Sequence, residues 1–276
     1  MKTSFKFVWL CFIALATVSC KKDKIPCDPT REDSPCYQGP SDPQPGDILL
    51  VSEYTRQTQY GKTYFRNTFD EQNRLIKNTQ YSTENEVRSS IEYTYNERGY
   101  LSTVIDKNEL GRAIRVSEYT THDNQGRPMT MNESVPNQPD EVIYDWSFQY
   151  SANKLVQYAH PRGELTGGFT ETYIYNDSGD IFSFEVTAEN YFHKEVMSNL
   201  DGKIRPNKYG NPYNWRFPGT QNHQRIVSIL EDGTEDYERE LRYTYNNAGY
   251  PLTKEVYQKA TGELIETYTY SYQQAR

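Results

Sequence analysis

The residues that could carry acid–base or metal chemistry are plentiful in this 276-residue chain, but they form no recognisable catalytic pattern. Its histidines, His122, His160, His193 and His223, make no His-x-x-x-His pair and no cysteine–histidine pattern, so the sequence predicts no metal site. The 38 acidic residues could supply the paired carboxylates of a glycosidase, yet no spacing selects a pair. A carbohydrate-active enzyme with a carboxylate pair on a sheet is therefore an alternative hypothesis without assigned catalytic residues.

Three short motifs have simpler structural explanations. Ser151-Ala152-Asn153-Lys154 fits Ser-x-x-Lys, but it lies on a repeat turn and lacks the helix that this chemistry requires. Asp123-Asn124-Gln125-Gly126 and Asp177-Ser178-Gly179-Asp180 could suggest calcium, but they lack the spaced ligands of an EF-hand loop. Aspartate and asparagine in turns bond to backbone amides two residues on. The sequence contains no phosphate-binding loop, and we predict no cofactor.

One short motif recurs along the chain, an alternating aromatic strand that runs into Asn-x-x-Gly. It occurs as Tyr93-Thr94-Tyr95-Asn96-Glu97-Arg98-Gly99, as Tyr173-Ile174-Tyr175-Asn176-Asp177-Ser178-Gly179 and as Tyr243-Thr244-Tyr245-Asn246-Asn247-Ala248-Gly249. A strand of this kind entering a tight turn predicts a β-hairpin. The residues that mark these turns are Asp70, Asn96, Asp123, Ser151, Asn176, Asn199 and Asn246.

The spacing of these markers predicts the architecture. Successive gaps are 23 to 28 residues, except for a last gap of 47 that is close to two periods. A period of about 25 residues fits one hairpin with two strands of about eight to ten residues. The body, residues 47–276, is therefore predicted to be an all-β antiparallel meander of about 15 to 17 strands.

Side-chain alternation predicts which face of the sheet is dry. Tyr144, Trp146, Phe148 and Tyr150 point one way, and the intervening Asp145, Ser147 and Gln149 point the other. Such a sheet must curl into a barrel or a spiral so that the aromatic face covers itself. A membrane-spanning porin would need a continuously aliphatic lipid-facing side, whereas these tyrosine-rich faces are interrupted by Thr, Arg and Asn. We therefore favour a barrel-like or spiral sheet that does not span a membrane.

One segment, from Asn199 to Gln224, departs from the period because it is too rich in Pro and Gly for a central strand. Two interpretations remain open for it. It could be a binding loop, or it could plug the curled sheet with Trp215 and Phe217 in the core. The candidate binding residues are Tyr209, Tyr213, Trp215, Arg216 and Phe217.

The N-terminus predicts secretion. Lys2 and Lys6 precede an apolar stretch that ends in Thr17-Val18-Ser19-Cys20, which is typical of a signal peptide over residues 1–19. An ordinary signal peptide of this kind would be cut near Ser19 and would leave a free thiol at Cys20. Residues 20–46 have the composition of a flexible tether, and Cys27 and Cys36 within it are expected to form a disulfide in an oxidising compartment.

The net charge of −8 argues against a nucleic-acid partner, which would require a basic footprint. Polysaccharide, peptide or another envelope protein are the partners we consider.

The repeat and the N-terminus both resemble known families. Tyr-x-Tyr-Asn-x-x-Gly-x-Leu resembles the YD repeat of Rhs and teneurin-type shells, in which Asp and Arg replace the Asn and the last variable residue. Phe69-Asp70-Glu71-Gln72-Asn73-Arg74-Leu75 and Asp123-Asn124-Gln125-Gly126-Arg127 match that pattern best. The end of the signal resembles a bacterial lipobox with Cys20 as the lipidated residue. The whole chain is similar to Bacteroidetes lipoproteins of unknown function with degenerate YD-like repeats, a resemblance that implies a porin-like β fold.

These observations together favour a non-catalytic protein of a Gram-negative cell envelope. We expect a lipid on Cys20 to anchor it to the outer membrane. The face of the membrane, periplasmic or surface, is not predicted. The barrel would serve as a binding or structural module.

Overall fold

The computed structural model describes residues 42–83, 85–136, 142–162 and 167–276. Residues from Pro43 onward belong to one compact unit, and every regular element described in it is a β-strand. The described strands are β1 (Leu49–Thr58), β2 (Gly61–Phe69), β3 (Leu75–Tyr81), β4 (Val87–Tyr95), β5 (Leu101–Asn108), β6 (Ala113–His122), β7 (Pro128–Ser134), β8 (Val142–Ser151), β9 (Lys154–Pro161), β10 (Phe169–Tyr175), β11 (Ile181–Ala188), β12 (Tyr191–Ile204), β13 (Gln221–Ile229), β14 (Glu235–Tyr245), β15 (Pro251–Gln258) and β16 (Glu263–Gln274).

The sixteen described strands close into an antiparallel barrel. Each strand pairs with its neighbours in sequence, and β1 pairs with β16 to complete the ring, from Leu49 opposite Gln274 to Thr58 opposite Glu266. The all-β meander is therefore confirmed. Of the two shapes that the sequence left open, the molecule adopts the closed barrel, in which no strand edge is left unpaired among the described residues.

The up-and-down order gives the barrel two distinct ends. We call the end that carries the loops after β2, β4, β6, β8, β10, β12 and β14 the turn end, and the other the far end. The start of β1 and the end of β16 also lie at the turn end. The three Tyr-x-Tyr-Asn-x-x-Gly motifs, which follow β4, β10 and β14, therefore lie at one mouth of the barrel.

The repeat turns form as the motif predicts. In the turn after β4, Asn96 Oδ1 accepts hydrogen bonds from the backbone N–H groups of Arg98 and Tyr100, both at 3.0 Å, and Gly99 has a φ of 80°. Gly suits this turn because a positive φ carries no side-chain clash there. Asp70, Asp123 and Asn176 make the same pair of bonds to the second and fourth residues after them.

The prediction of a turn at Asn199 is wrong. Asn199 lies inside β12, where its backbone has a φ of 56°, and the chain continues as strand to Ile204. Asparagine tolerates the left-handed region both in turns and within a strand, so the residue type alone does not distinguish the two. The irregular segment is accordingly shorter than predicted, covering residues 205–220 between β12 and β13.

The aromatic face of the sheet lines the lumen. Residues from many strands contribute to one core cluster, in which the rings of Tyr93, Tyr119, Phe148 and Tyr173 are buried. The predicted burial of the ring-bearing face is confirmed by this cluster. Since side chains alternate along each strand, the intervening residues must face outward.

The outer face is polar and charged. Glu92 of β4 forms ion pairs with Lys77 of β3 at 3.1 Å and Lys107 of β5 at 2.5 Å, across three neighbouring strands. Glu238 likewise pairs with Arg225 and Lys259 on the other side of the barrel. A transmembrane barrel presents an apolar band to lipid, and charges there are destabilising. The ion pairs around Glu92 and Glu238 therefore differ from the apolar band that a lipid-facing barrel presents.

A buried tyrosine fastens the beginning of the barrel. Tyr250 has a relative exposure of 0%. Its hydroxyl accepts a hydrogen bond from Leu49 N at 3.2 Å and donates to Asp47 O at 3.1 Å. Tyr250 follows the β14–β15 turn, so this contact ties the first strand to a loop about 200 residues later in the chain.

Candidate functional site

The segment between β12 and β13, residues 205–220, folds into the barrel, and we call it the lumen segment. It leaves the wall at β12, and Gly210 O accepts a hydrogen bond from Leu75 N of β3 at 3.2 Å. Tyr213 then meets the ring of Tyr93 on β4, with ring centres 6.0 Å apart. Because β3 and β4 lie across the ring of strands from β12 and β13, the segment crosses the full width of the lumen.

The lumen segment fits tightly against the wall at two glycines. A Cβ added at Gly210 would lie 2.8 Å from a ring carbon of Phe69. A Cβ at Gly219 would lie 2.1 Å from Asp180 Oδ1. Real Cβ contacts are never this short, so a larger residue at either position would displace the segment.

Trp215 is the central contact of the lumen segment. Its ring centre lies 6.4 Å from that of Tyr119, 5.3 Å from Phe148 and 6.5 Å from Tyr150, in edge-to-face arrangements. Phe217 packs in the same way against Tyr173 at 6.2 Å. Edge-to-face aromatic pairs add to the free energy of area burial. The geometry therefore places Trp215 and Phe217 in the core cluster, as the plug interpretation expects.

Above this plug, the turn end opens into a bowl of about 940 Å³. Trp215, Tyr209 and Asn214 line its floor, while Tyr213, Arg216 and Phe217 do not belong to its lining. The five candidate binding residues are thus divided between the bowl and the interior. Aromatic rings and amides dominate the rest of the lining, which includes Tyr95, Tyr100, Tyr150, Tyr175, Gln72, Asn73, Gln125 and Asn211.

The bowl has a charge bias that the sequence did not indicate. The charged residues among its described lining are Arg74, Arg127, Lys154 and Arg276, and no described aspartate or glutamate belongs to it. The protein as a whole carries a net charge of −8. The bowl is therefore a local basic surface on an acidic molecule, and it favours anionic ligands.

Two of these arginines are held rigidly. Arg127 binds Asp123 Oδ2 at 2.7 Å and lies 4.2 Å from the centre of the Tyr150 ring. Arg74 repeats the arrangement with Asp70 at 2.7 Å and with Tyr95 at 4.4 Å. A guanidinium fixed by a carboxylate and an aromatic face is preorganised for contact with a ligand.

The sequence analysis did not select these arginines as site residues. Their signal was present, because Asp70 and Arg74, like Asp123 and Arg127, stand at the Asp and Arg positions of the YD pattern. What the sequence lacked was the partner. Tyr95 lies 21 residues after Arg74, and only the register of the barrel brings the two together.

Below the plug lies a second recess, the far chamber, of about 420 Å³. Three carboxylates line it: Asp106, Glu133 and Glu171. Arg115 lies between two of them, 2.5 Å from Asp106 and 4.0 Å from Glu133. Burial raises the pKa of Glu133 against the opposing effect of Arg115. The far chamber therefore brings several carboxylates to one recess inside the barrel, as the alternative enzyme hypothesis requires.

Arg216 joins the plug to the wall of the far chamber. Its Nη2 donates to Gln157 Oε1 at 2.7 Å, and Gln157 has a relative exposure of 0%. Burial acts to lower the pKa of Arg216, but Tyr173, Glu171 and other neighbours raise it above its ordinary value. The guanidinium is therefore a permanent interior charge, held by the plug rather than presented in the bowl.

A polar cluster supports the base of the lumen segment. Asp180 is buried at 3% exposure and accepts a hydrogen bond from Gln221 N at 2.9 Å through Oδ1. Arg205 donates to the carbonyl of Phe217, and burial lowers its pKa to about 10. Burial also lowers the pKa of the nearby His223, against the opposing effects of Asp180 and Asp201. His223 is therefore neutral at physiological pH.

Other predicted features have separate outcomes. His122 ends β6, and its Nε2–H donates to Leu101 O at 2.8 Å. Cys20, Cys27 and Cys36 lie outside the described residues, as do the signal peptide and most of the tether.

Within the described ranges, no cluster of three or more His, Cys, Asp or Glu side chains is placed to bind a metal ion. No described helix has the length and hydropathy required to cross a bilayer.

Comparison with known proteins supports the fold. No protein-family model and no curated protein matches the chain. Among solved structures, a porin-like protein from Bacteroides uniformis ATCC 8492 is 12% identical and covers 84% of this chain and 99% of its own, with a TM-score of 0.53. A porin-like protein from Bacteroides vulgatus ATCC 8482 is 9% identical over 82% of this chain and 99% of its own, with a TM-score of 0.46. At these identities the first similarity establishes the fold alone. The porin-like barrel implied by the family resemblance is thereby confirmed.

Proposed function

We propose that this protein is a non-catalytic envelope protein whose barrel binds an acidic polysaccharide in the bowl at its turn end. The single observation that carries the proposal is the bowl's lining. Four cationic side chains and no described carboxylate line a recess on a protein with a net charge of −8. An anionic polymer is the ligand class that this charge distribution attracts and orients.

The other lining residues fit a sugar polymer. Aromatic rings provide flat apolar faces, and Gln72, Asn73, Gln125, Asn211 and Asn214 provide amides that both donate and accept hydrogen bonds. Pockets that bind small ligands combine an apolar lining with a few polar groups in the same way. The bowl is also wide and open at the mouth of the barrel, so a chain could enter it by one end or lie across it.

Binding to acidic and neutral polymers tests the proposal. Polygalacturonate and dextran would be compared by calorimetry at two salt concentrations, using the intact protein and the variant Lys154→Gln/Arg276→Gln. We expect binding of polygalacturonate alone, weakened by salt and by the variant, since each lost charge contact costs about 1 kcal/mol.

The matched control removes the same charge elsewhere. Lys62→Gln/Arg98→Gln neutralises two exposed side chains that do not line the bowl, one of them on a neighbouring turn. Equal binding of dextran and polygalacturonate, or equal losses in the two double variants, would contradict the proposal. Failure of polygalacturonate to bind at all would do the same.

A carbohydrate-active enzyme is the second candidate, and one observation favours it. Glu133 in the far chamber has a raised pKa and lies near Asp106, as an acid and a carboxylate partner would. Arg115 contacts both groups, which favours a structural ion-pair network instead. If the intact protein releases reducing ends from polygalacturonate and Glu133→Gln does not, the protein is an enzyme and the non-catalytic proposal is overturned.

We further propose that Cys20 carries the lipid that anchors the barrel to the envelope, and that Cys27 and Cys36 form a disulfide in the tether. The sequence from Lys2 to Cys20 supports the first, and the oxidising compartment that it implies supports the second. Metabolic labelling with a fatty acid analogue should mark the protein and not Cys20→Ser. Non-reducing mass spectrometry should find Cys27 and Cys36 linked; free thiols at both would exclude the disulfide.

A further inference from the structure

A third recess, the side chamber, lies inside the barrel, between its wall and the lumen segment, and has a volume of about 460 Å³. Pro206, Tyr209 and Tyr213 of the lumen segment form one side of it, and β1 and β14 to β16 form another. Its volume falls in the range of about 300–1,000 Å³ that is usual for small-molecule sites. The side chamber and the bowl share residues 209–212 as a common wall.

Lys254 extends into the side chamber from β15. Its Nζ lies 3.7 Å from the centre of the Tyr268 ring. It forms no ion pair with any described residue. Lys254 is half-buried. An ammonium that is largely removed from water normally has a carboxylate partner, because desolvation of an unpaired charge is costly.

The nearest carboxylate is already engaged by other groups. Glu266 forms an ion pair with Arg56 on β1 and accepts a hydrogen bond from Tyr268 OH at 2.7 Å. The other charged group that acts on Lys254 is Arg239 on β14, whose guanidinium lies over the Tyr237 ring at 4.7 Å. Arg239 reaches a second carboxylate, Glu195, through the Tyr237 hydroxyl. Lys254 itself has only Glu266 as a carboxylate that acts on it, and Glu266 is already paired with Arg56.

The walls around Lys254 are flat and aromatic. Tyr268 and Tyr270 lie nearly parallel on β16, with an interplanar angle of 9°. Tyr54 on β1 stacks on Phe65 at 4.3 Å with an interplanar angle of 4°. The Tyr54 face that meets Phe65 is therefore closed to a ligand. The rings that line the chamber and can contact a planar or ring-shaped ligand are Tyr268, Tyr270 and the other face of Tyr54.

We propose that the side chamber binds a compact organic anion, a carboxylate carried on a six-membered ring, with Lys254 pairing with the carboxylate and the tyrosines of β1 and β16 contacting the ring. The ligand supplies Lys254 with a negative charge of its own, in addition to that of Glu266, which is shared with Arg56. This proposal is independent of the bowl, because none of the four basic side chains that line the bowl lines the side chamber.

Two kinds of molecule carry this chemistry, a sugar acid and an aromatic acid, and the experiment separates them. D-glucuronate and 4-hydroxybenzoate would be titrated into the intact protein by calorimetry, each beside its neutral counterpart, D-glucose or 4-hydroxybenzamide. We expect one acid to bind and its neutral counterpart to bind at least about tenfold more weakly, since a hydrogen-bonded charge contact contributes about that factor. Equal affinity for an acid and its neutral counterpart would overturn the proposal. Absence of binding by either acid at about 10 mM would also overturn the proposal, because that concentration exceeds the dissociation constants of even weak specific complexes.

Substitution of Lys254 gives the second arm. Lys254→Met keeps the chain length and removes the charge, and it should weaken binding of the acid about tenfold or more. Lys259→Met is the matched control, because Lys259 is an exposed lysine paired with Glu238 on the outer surface. Unchanged binding in Lys254→Met would overturn the proposal. The variant is expected to fold, because it removes an unpaired charge from the lumen, and an equal or higher melting temperature would show this.

Proton uptake gives a readout that a purely structural lysine would not move. Burial lowers the pKa of Lys254 to about 8, opposed by Glu266 and reinforced by Arg56 and Arg239. A bound carboxylate would raise that pKa, so binding near pH 8 should take up protons, measured as calorimetric heats that depend on the ionisation enthalpy of the buffer. The uptake should vanish in Lys254→Met and persist in Lys259→Met. Uptake that is absent from the intact protein, or that persists in Lys254→Met, would overturn the proposal.

Discussion

The guanidinium of Arg127 lies 4.2 Å from the centre of the Tyr150 ring, and the hydroxyl of the same tyrosine donates to Pro128 O at 2.8 Å. Tyr95 makes the equivalent bond to Leu75 O at 2.7 Å under Arg74. In both cases a tyrosine from the end of one strand is bound to the residue that follows an earlier turn. These two tyrosines therefore link their hairpins to the preceding ones at the turn end.

Loss of one of these hydroxyls should lower the free energy of unfolding by the contribution of one hydrogen bond. Tyr150→Phe keeps the ring under Arg127 and removes the donor to Pro128 O, leaving that carbonyl without its partner. We expect a loss of about 1 kcal/mol in the free energy of unfolding, measured by urea denaturation. Tyr60→Phe is the control, because Tyr60 is 89% exposed at a far-end turn and should give no change. Equal effects of the two variants would show that the hydroxyl bond is not what stabilises the repeat.

Acid should weaken the turns that contain aspartate. Burial acts to raise the pKa of Asp70 and of Asp123, but backbone N–H groups and the partner arginines outweigh it and lower both values below 3.8. A lowered folded-state pKa stabilises the protein above the unfolded value, and this contribution is lost as the pH falls through the folded value. The intact protein should therefore lose stability progressively below about pH 4.

The double variant Asp70→Asn/Asp123→Asn tests this directly. Asparagine should preserve the backbone bonds of the turn, because Asn96 and Asn176 already make them at equivalent positions. We expect a shallower fall in melting temperature between pH 5 and about pH 3 than in the intact protein. An unchanged slope would mean that other carboxylates dominate acid unfolding.

Truncation of Trp215 should lower stability far more than truncation of Asn214, its exposed neighbour in the floor of the bowl. Trp215→Ala removes the ring that contacts Tyr119, Phe148 and Tyr150, and the expected loss is about 3–5 kcal/mol in the free energy of unfolding. Asn214→Ala, at the exposed neighbouring residue, should change it by less than about 0.5 kcal/mol. Similar losses in both variants would contradict the central role of Trp215 in the core.

His223 should make the protein sensitive to mild acid. Burial lowers its pKa below 6.5, so the unfolded chain binds a proton more readily than the folded protein does. Stability is then fully present above about pH 6.5 and falls as the pH decreases through the folded-state value. His223→Gln should reduce the pH dependence of the melting temperature between about pH 7 and pH 5. His160→Gln on the outer face is the control, and an equal flattening there would exclude His223 as the cause.

The charged outer face predicts behaviour in the absence of detergent. Because Glu92, Glu238 and their basic partners cover the wall with ion pairs, the barrel should remain monodisperse in aqueous buffer. Flotation with liposomes, using protein that carries Cys20→Ser, should leave it in the aqueous fraction. Co-flotation of that variant would contradict a water-facing outer surface.

The sequence predicted the strand count and the aromatic interior because both depend on local rules. Period-two alternation in segments such as Tyr144 to Tyr150 fixes which side chains share a face, and Asn96 with Gly99 fixes the turn. Closure of the barrel depends on β1 pairing with β16, a contact between residues more than 200 positions apart that no local pattern encodes. The prediction could therefore reach a curled sheet but not a closed one.

The candidate site was predictable only in part, for the same reason. The composition of residues 205–220 marked the lumen segment as irregular, and Trp215 was among the candidate binding residues within it. The basic lining of the bowl was not predictable, because Arg74, Arg127, Lys154 and Arg276 come from four separate parts of the chain. Lys254 gave no signal either, since a lysine on a strand is ordinarily solvated and only the three-dimensional packing shows it inside the barrel.

The contact of Tyr250 with Asp47 and Leu49 has a mechanical consequence. Any pull on the chain from the N-terminal side reaches the barrel at this point. The first strand is hydrogen-bonded to β2 on one side and to β16 on the other. A pulling force is therefore shared between these two strand pairings and the Tyr250 hydrogen bonds before the first strand detaches. A protein tethered there in a flowing or growing envelope would resist peeling from its own beginning.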